Sequence, residues 1–351
     1  TPATVRVSID PSAFLNQNGT ASGEITIETT RGVNIPAPVR ILVNMREPDQ
    51  RGTVFNIPGK LVDLLPDPAR DRFYVLRQDK NQVLVFDGTS FGLIGTLRTG
   101  NTPTQMAISF DRRYLLVGNN NSQIANVYDL ETLEPSAPIR FPFGHYPRSI
   151  ASSGNAMLAA CRVAGPDNTI DRIDFHTRTA VALPTLGVYK NSIDIDTVLV
   201  ASPNGSSIMA VQKNGNLLLY NANADTFTIS RKEPANLSGA YAASSFDQFV
   251  VGSKLLNSSL VPVAQFESAS GTASGFAFVD QTALRTTAPS SSTPGVIQRV
   301  NLPAGTAVRP TRLAEAPLLT DTGTVFTRTL APLYSRTAIV NLTTSGFTAV
   351  A

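Results

Sequence analysis

A β-propeller, an all-β ring of four-stranded blades, is the fold class that this sequence predicts, and three observations predict it. A phrase of polar turn, short apolar strand, polar loop and second apolar strand recurs seven times along the 351 residues. Its second strands are the clearest: residues 81–87 (NQVLVFD), 124–130 (IANVYDL), 169–175 (TIDRIDF), 216–222 (NLLLYNA), 254–260 (KLLNSSL), 295–302 (GVIQRVNL) and 337–344 (TAIVNLTT). The period is about 40 residues, the length of one blade. Composition agrees, because Thr, Ser, Asn and Gly abound and only 16% of residues are charged. Long helices would need more Ala, Glu, Lys and Leu at a period of 3.6. The expectation is all-β: a seven-bladed β-propeller over residues 49–351, preceded by a short partial immunoglobulin-like β segment over residues 1–48.

Residues 5–9 (VRVSI), 23–28 (GEITIE) and 39–43 (VRILV) alternate or run apolar, with turn formers Asp10, Pro11, Asn18, Gly19, Pro36 and Pro38 between them. They read as strands of an immunoglobulin-like sandwich, although three strands are too few to close two sheets. Residues 47–51 (EPDQR) form a polar linker. Beyond it, Gly59, Gly100, Gly144 and Gly187 recur at separations of 41, 44 and 43 residues and set the phase of the blades. The turns that follow each innermost strand are read at residues 67–71, 110–113, 153–155, 203–206, 246–248, 280–282 and 320–323. Two segments compete to close the ring. Residues 53–57 (TVFNI) match an outermost strand followed by glycine, and residues 346–350 (GFTAV) are the alternative. The N-terminal segment is favoured, since pairing the two ends removes an open sheet edge.

Residues 74–76 (YVL), 83–87 (VLVFD), 114–119 (YLLVGN) and 127–130 (VYDL) resemble the repeats of YVTN-type seven-bladed propellers. The spacing of VxV, PS, GT and SGxITI within the first 45 residues resembles part of BACON-type immunoglobulin-like modules. Together the resemblances imply a large secreted or surface-associated bacterial protein, located extracellularly, at the cell surface or in the periplasm. The chain starts at Thr1 and shows no signal peptide, so a removed leader or a fragment of a larger multidomain chain is expected.

A formal charge of +3 is too small for bulk nucleic-acid affinity, and no stretch approaches the 18 apolar residues of a membrane span. Cys161 stands alone in an apolar run and is expected to be a buried free thiol. The placement of charge says more than its sum. In a propeller, the loops that lead into each innermost strand converge on one face around the central channel. As phased, these loops carry Lys60, His145, Arg148, Lys190, Arg309 and Arg312 and no Asp or Glu. The loops between second and third strands add Arg77, Lys80, Arg162, Lys213 and Arg336 against Asp79 and Asp167. On the opposite face Asp67, Asp71, Asp111, Asp129, Glu131, Glu134, Asp225, Asp247, Asp280 and Asp321 collect. Tyr146, Tyr189 and Tyr241 offer flat surfaces for sugars or cations.

A basic mouth of this kind would focus its field on carboxylates, phosphates or acidic polysaccharide. The ligand-binding candidates are Lys60, His145, Tyr146, Arg148, Tyr189, Lys190, Arg309 and Arg312. No metal or cofactor is expected, because His145 and His176 fall on opposite faces and a zinc site needs three close N or S ligands. The alternating Asp194 and Asp196 are read as a rim pair on a strand, bonded to backbone. The resulting expectation is a non-enzymatic binding or scaffold module, with an anionic small molecule, a polysaccharide or a protein as partner. The alternative is a propeller lactonase or hydrolase with His145 as general base and Arg148 stabilising an oxyanion.

Overall fold

The computed structural model describes residues 4–17, 19–29, 35–266, 275–287, 295–318 and 328–351, excluding the side chains of 307–309. Apart from a turn of 3-10 helix at Pro11–Phe14, every regular element in them is a β-strand. No helix among them is long and apolar enough to cross a membrane.

Four-stranded antiparallel meanders repeat along the chain. The first is Leu61–Pro66, Arg72–Arg77, Gln82–Asp87 and Leu93–Arg98. Two more, starting with Pro103–Ile108 and His145–Ser152, are joined into one eight-stranded sheet by a single parallel bridge, Arg140↔Thr179. Four further four-stranded sheets start with Val198–Ala201, Tyr241–Ala243, Gly275–Val279 and Leu330–Pro332. Counted as separate sheets, the described residues thus hold five of four strands and one of eight. The first strands touch in a closed circle, each packing on the one before and after it, with Leu330–Pro332 returning to Leu61–Pro66. That circle is the wall of a channel and makes the molecule a β-propeller.

Local chemistry explains why the strands stop where they do. Ser109, Ser153, Ser202 and Ser244 occupy the same place after successive first strands and are all buried. The hydroxyls of Ser109, Ser153 and Ser244 accept from the backbone N–H groups of Tyr114, Ala156 and Gln248, tying the turn to the strand that follows. At the end of the third strands, Asp87, Asp129, Asp174 and Asn221 each accept two backbone N–H bonds from the turn ahead. These Asx turns are the competition that short polar side chains offer to a continuing ladder.

The ring closes through the N-terminal segment. Thr53–Asn56 pairs antiparallel with Gly346–Val350, which is the third strand of its sheet rather than the outermost. Gly346 has φ +151°, and a Cβ there would run into the carbonyl oxygen of Phe55. Phe55 stacks on Phe347 at 4.6 Å, and the ring of Phe347 meets the edges of Phe73 and Phe86, each at 5.2 Å. The closing sheet and the first meander therefore share one apolar cluster.

Three expectations need correction. Residues 5–9 form no strand, and the described N-terminal strands are only Gly19–Ile25 and Val39–Met45, paired with each other. Alternation alone did not supply a partner edge for residues 5–9. The last repeat is out of phase: its turn lies at residues 333–338, where Leu333 and Ala338 exchange a backbone bond. The turn assigned to 320–323, with Asp321, lies outside the described residues, as do 288–293 and 272–274. A fixed period of about 40 failed here because the segment leading into Leu330–Pro332 is longer than its counterparts. Residues 308–312 accordingly belong to an outermost strand, Thr306–Arg312, and not to a loop at the channel.

Candidate functional site

Three of the first strands carry a β-bulge near the channel mouth, between Leu61 and Asp63, Pro103 and Gln105, and Pro147 and Ser149. Bulges re-aim a side chain, and each of these turns a polar one toward the next meander. The Asp63 carboxylate accepts from Met106 N at 2.8 Å, Gln105 Oε1 from Ile150 N at 3.1 Å, and Ser149 Oγ from Leu199 N at 2.8 Å. Gln105 Nε2 then donates to the Tyr241 hydroxyl at 2.5 Å, from the far side of the ring. Burial pushes that phenol up to about 12. Arg328 completes the plug, with Nε 2.8 Å from Asp63 Oδ1 and Nη2 donating to Met106 O. These buried polar groups are mutually satisfied, as a stable interior requires. They span the channel wall and leave a cavity of about 30 Å³, beside Arg148 and Asp196. On the opposite side of the plug, the channel opens into a mostly apolar hollow of about 240 Å³ lined by Ile108, Ile150, Leu199 and Val200.

Three of the mouth cations are paired with carboxylates, two of them, Asp79 and Asp167, from the loops between second and third strands. Arg148 Nη1 lies 3.1 Å from Asp196, Arg77 Nε 3.1 Å from Asp79, and Lys190 Nζ 2.5 Å from Asp167. Asp194 and Asp196 sit in an irregular turn, not on a strand, and Asp194 accepts from Asp196 N. Tyr146 lies 4.1 Å beneath the Arg162 guanidinium, and Tyr241 is buried, so Tyr241 offers no plate for a ligand. Lys60 is exposed and its N–H donates to Asp79. Arg312 grips Asp49 through both carboxylate oxygens, at 2.7 and 2.8 Å, on the outermost strand beside the N-terminal linker. The side chain of Arg309 lies outside the described residues. Arg336 belongs to the opposite face, where it pairs with Asp280. The acids of that face are likewise engaged: Asp129 with Arg113, Glu131 with Arg70, and Asp225 with Arg172. The ion pairs thus cancel part of the charge expected on each face.

Tyr189 and Lys190 are the candidates that reach a cleft. They form the second strand of a small hairpin, Thr185–Leu186 with Tyr189–Lys190, that stands over the sheet starting at Val198–Ala201. The cleft beneath measures about 480 Å³ and is lined by Leu186, Tyr189, Lys190, Gln212, Asn216, Leu217, Ser230, Arg231 and Lys232 among others. Half of the Tyr189 side chain is exposed, and its hydroxyl is held 2.9 Å from Ser230 Oγ. No carboxylate lines the cleft. Glu233 sits behind it, buried and bonded to Arg231 and Lys254, which hold its carboxyl below the ordinary value, Lys254 contributing more. Lys232 Nζ donates to the Asn214 carbonyl, leaving its charge uncompensated by that partner.

His145 stands apart from both. Its Nδ1 is 2.8 Å from Asp171 Oδ2, and Thr169 Oγ1 donates to the other carboxylate oxygen at 2.7 Å. This is an acid-oriented imidazole, one element of a general base. None of the cavities given above includes it, and the nearby Cys161 thiol is pushed up well above its usual value by burial and by Asp171. A thiol so disfavoured as thiolate is no nucleophile. Asp171 was invisible to loop reasoning because it lies on a strand; a carboxylate at an inward position of TIDRIDF was the available signal.

No protein-family profile and no curated protein matches this chain. Among solved structures it is similar to Kuenenia stuttgartiensis hydrazine synthase, with a TM-score of 0.58 over 84% of this chain and 97% of that one, at 12% identity. The likeness is one of fold. It is a β-propeller likeness and carries nothing about activity.

Proposed function

We propose that this β-propeller is a binding and scaffold module whose ligand, an acidic glycan, docks in the cleft under Tyr189 and Lys190. The observation that carries the reading is the lining: Tyr189 as a flat plate, three cations and no carboxylate. Sugars take this combination well, an aromatic face for C–H surfaces and amide or hydroxyl groups such as Gln212, Asn216 and Ser230 for hydroxyls. Lys190, Arg231, Lys232 and Lys254 outnumber Asp167 and Glu233 around the cleft, so a sulfate or carboxylate on the sugar finds net positive charge. The wider setting is part of the same proposal: a seven-bladed YVTN-type ring with a BACON-like N-terminal segment as spacer, working outside the cytoplasm of a bacterium. A hydrolase reading gains an acid partner for His145, but none of the cavities described above includes that side chain.

The test is retention of the protein on immobilised heparin at low salt, beside a neutral oligosaccharide as control. Tyr189→Ala with Lys232→Ala should lower the eluting salt concentration clearly, whereas Arg336→Ala on the opposite face should leave it unchanged. Equal elution of the two variants would sink the proposal.

A further inference from the structure

The geometry points to a zinc-type metal site made by His145, Cys161 and Asp171, a three-ligand centre whose fourth position opens to solvent past His145. Sheet register builds it. His145 faces Val163 on the neighbouring strand, Cys161 faces Pro147 and Thr169, and Asp171 faces Ala159. The three side chains therefore share one face across the first three strands of a meander, and that face packs on the meander before it. The imidazole nitrogen, the thiol sulfur and a carboxylate oxygen all lie within 4.8 Å of one another. A tetrahedral zinc, with bonds of about 2.0–2.3 Å, asks for ligand atoms roughly 3.3–3.8 Å apart. The 2.8 Å contact between His145 Nδ1 and Asp171 Oδ2 must open by about half an ångström, and a pair at the 4.8 Å limit must close by about one, as a metal ion takes the place of the shared proton.

The donor set selects the ion. Nitrogen, sulfur and oxygen together suit a borderline divalent metal, whereas magnesium and calcium want oxygen alone. Charge argues the same way. Asp171 has no exposed surface and Cys161 only 2%, and among the described residues no lysine or arginine pairs with that carboxylate. A buried carboxylate needs a compensating positive charge, and a divalent ion supplies it, releasing the thiol proton and the Nδ1 proton to solvent as it binds. Thr169 fixes the second carboxylate oxygen, as the outer partners of metal ligands do. The three ligands ride on strands, which hold geometry better than loops. The His145 side chain keeps 15% of its surface, enough to mark the side from which a water or an external ligand would complete the sphere.

Cobalt(II) alone is the probe, added to reduced, chelator-stripped protein. The expected result is a stoichiometric complex with tetrahedral d–d absorption and a sulfur-to-cobalt charge-transfer band, displaced by zinc. Cys161→Ala should abolish the charge-transfer band. Should that variant fail to fold, as read by thermal melting, His145→Gln at the partly exposed ligand serves instead and should lose tetrahedral absorption. Thr169→Val should weaken zinc binding by about 10–100-fold with an unchanged cobalt spectrum at saturation. A wild-type protein without the charge-transfer band, or one whose band survives Cys161→Ala, overturns the site and leaves a hydrogen-bonded histidine–carboxylate pair.

Discussion

The seam where the last sheet meets the first is packed with phenylalanine, whereas the wall of the channel is joined by polar side chains. At the seam Phe55, Phe73, Phe86 and Phe347 interlock between strands that lie some 290 residues apart in the chain. At the wall, Asp63, Gln105 and Ser149 each bond the backbone of the next meander. Apolar burial is non-directional and strong per residue, so it suits a contact that must be found late and between distant segments. Hydrogen bonds are weak in net terms but fix direction, which suits setting the angle between neighbours already linked by a short loop.

Three substitutions would break or sharpen that contrast. Phe347→Ala has the largest expected effect, about 4 kcal/mol of unfolding free energy in urea titration, because a fully buried ring at the junction leaves a cavity. A loss below about 1 kcal/mol would mean that closure does not depend on the cluster. Arg328→Met comes next, at about 3 kcal/mol, since it strands Asp63 as a buried charge. Adding Asp63→Leu should recover most of the loss, and a double variant no better than the single would place the cost elsewhere. Ser149→Ala is the mildest, about 1 kcal/mol, for it leaves the Leu199 N–H without its acceptor. If Ser149→Ala instead matched Phe347→Ala, the wall and not the seam would govern stability.

The same contrast explains how much could be read in advance. Six of the seven second strands of the repeated phrase coincide with third strands of meanders, because alternation and a closing Asp or Asn are local signals; the seventh, residues 337–344, holds Ile339–Leu342, the second strand of its sheet. Closure by residues 53–57 was legible too, from an outermost-strand pattern followed by Gly59. What failed depended on partners. Residues 5–9 alternate without an edge to join, and a fixed period of about 40 places residues 308–312 in a loop although they lie in the strand Thr306–Arg312. The mouth looked basic because its cations lie in loops, while Asp63 and Asp171, which answer two of the positive or protonatable groups, lie on strands. Ion pairs across a ring are set by register and packing, and a loop inventory contains neither. Of the candidate ligand residues, Tyr189 and Lys190 were recognised without the hairpin that gives them a cleft, since two-residue strands leave little pattern.

Pairing of Thr53–Asn56 with Gly346–Val350 also dictates an order of events on the ribosome. The earliest strand of the ring emerges first and must wait, unpaired, until almost three hundred further residues have been synthesised. Any polypeptide released before Gly346 leaves that strand and its apolar neighbours uncovered, a ready substrate for chaperones and proteases. The ring is therefore sealed only after residues 346–350 have been synthesised.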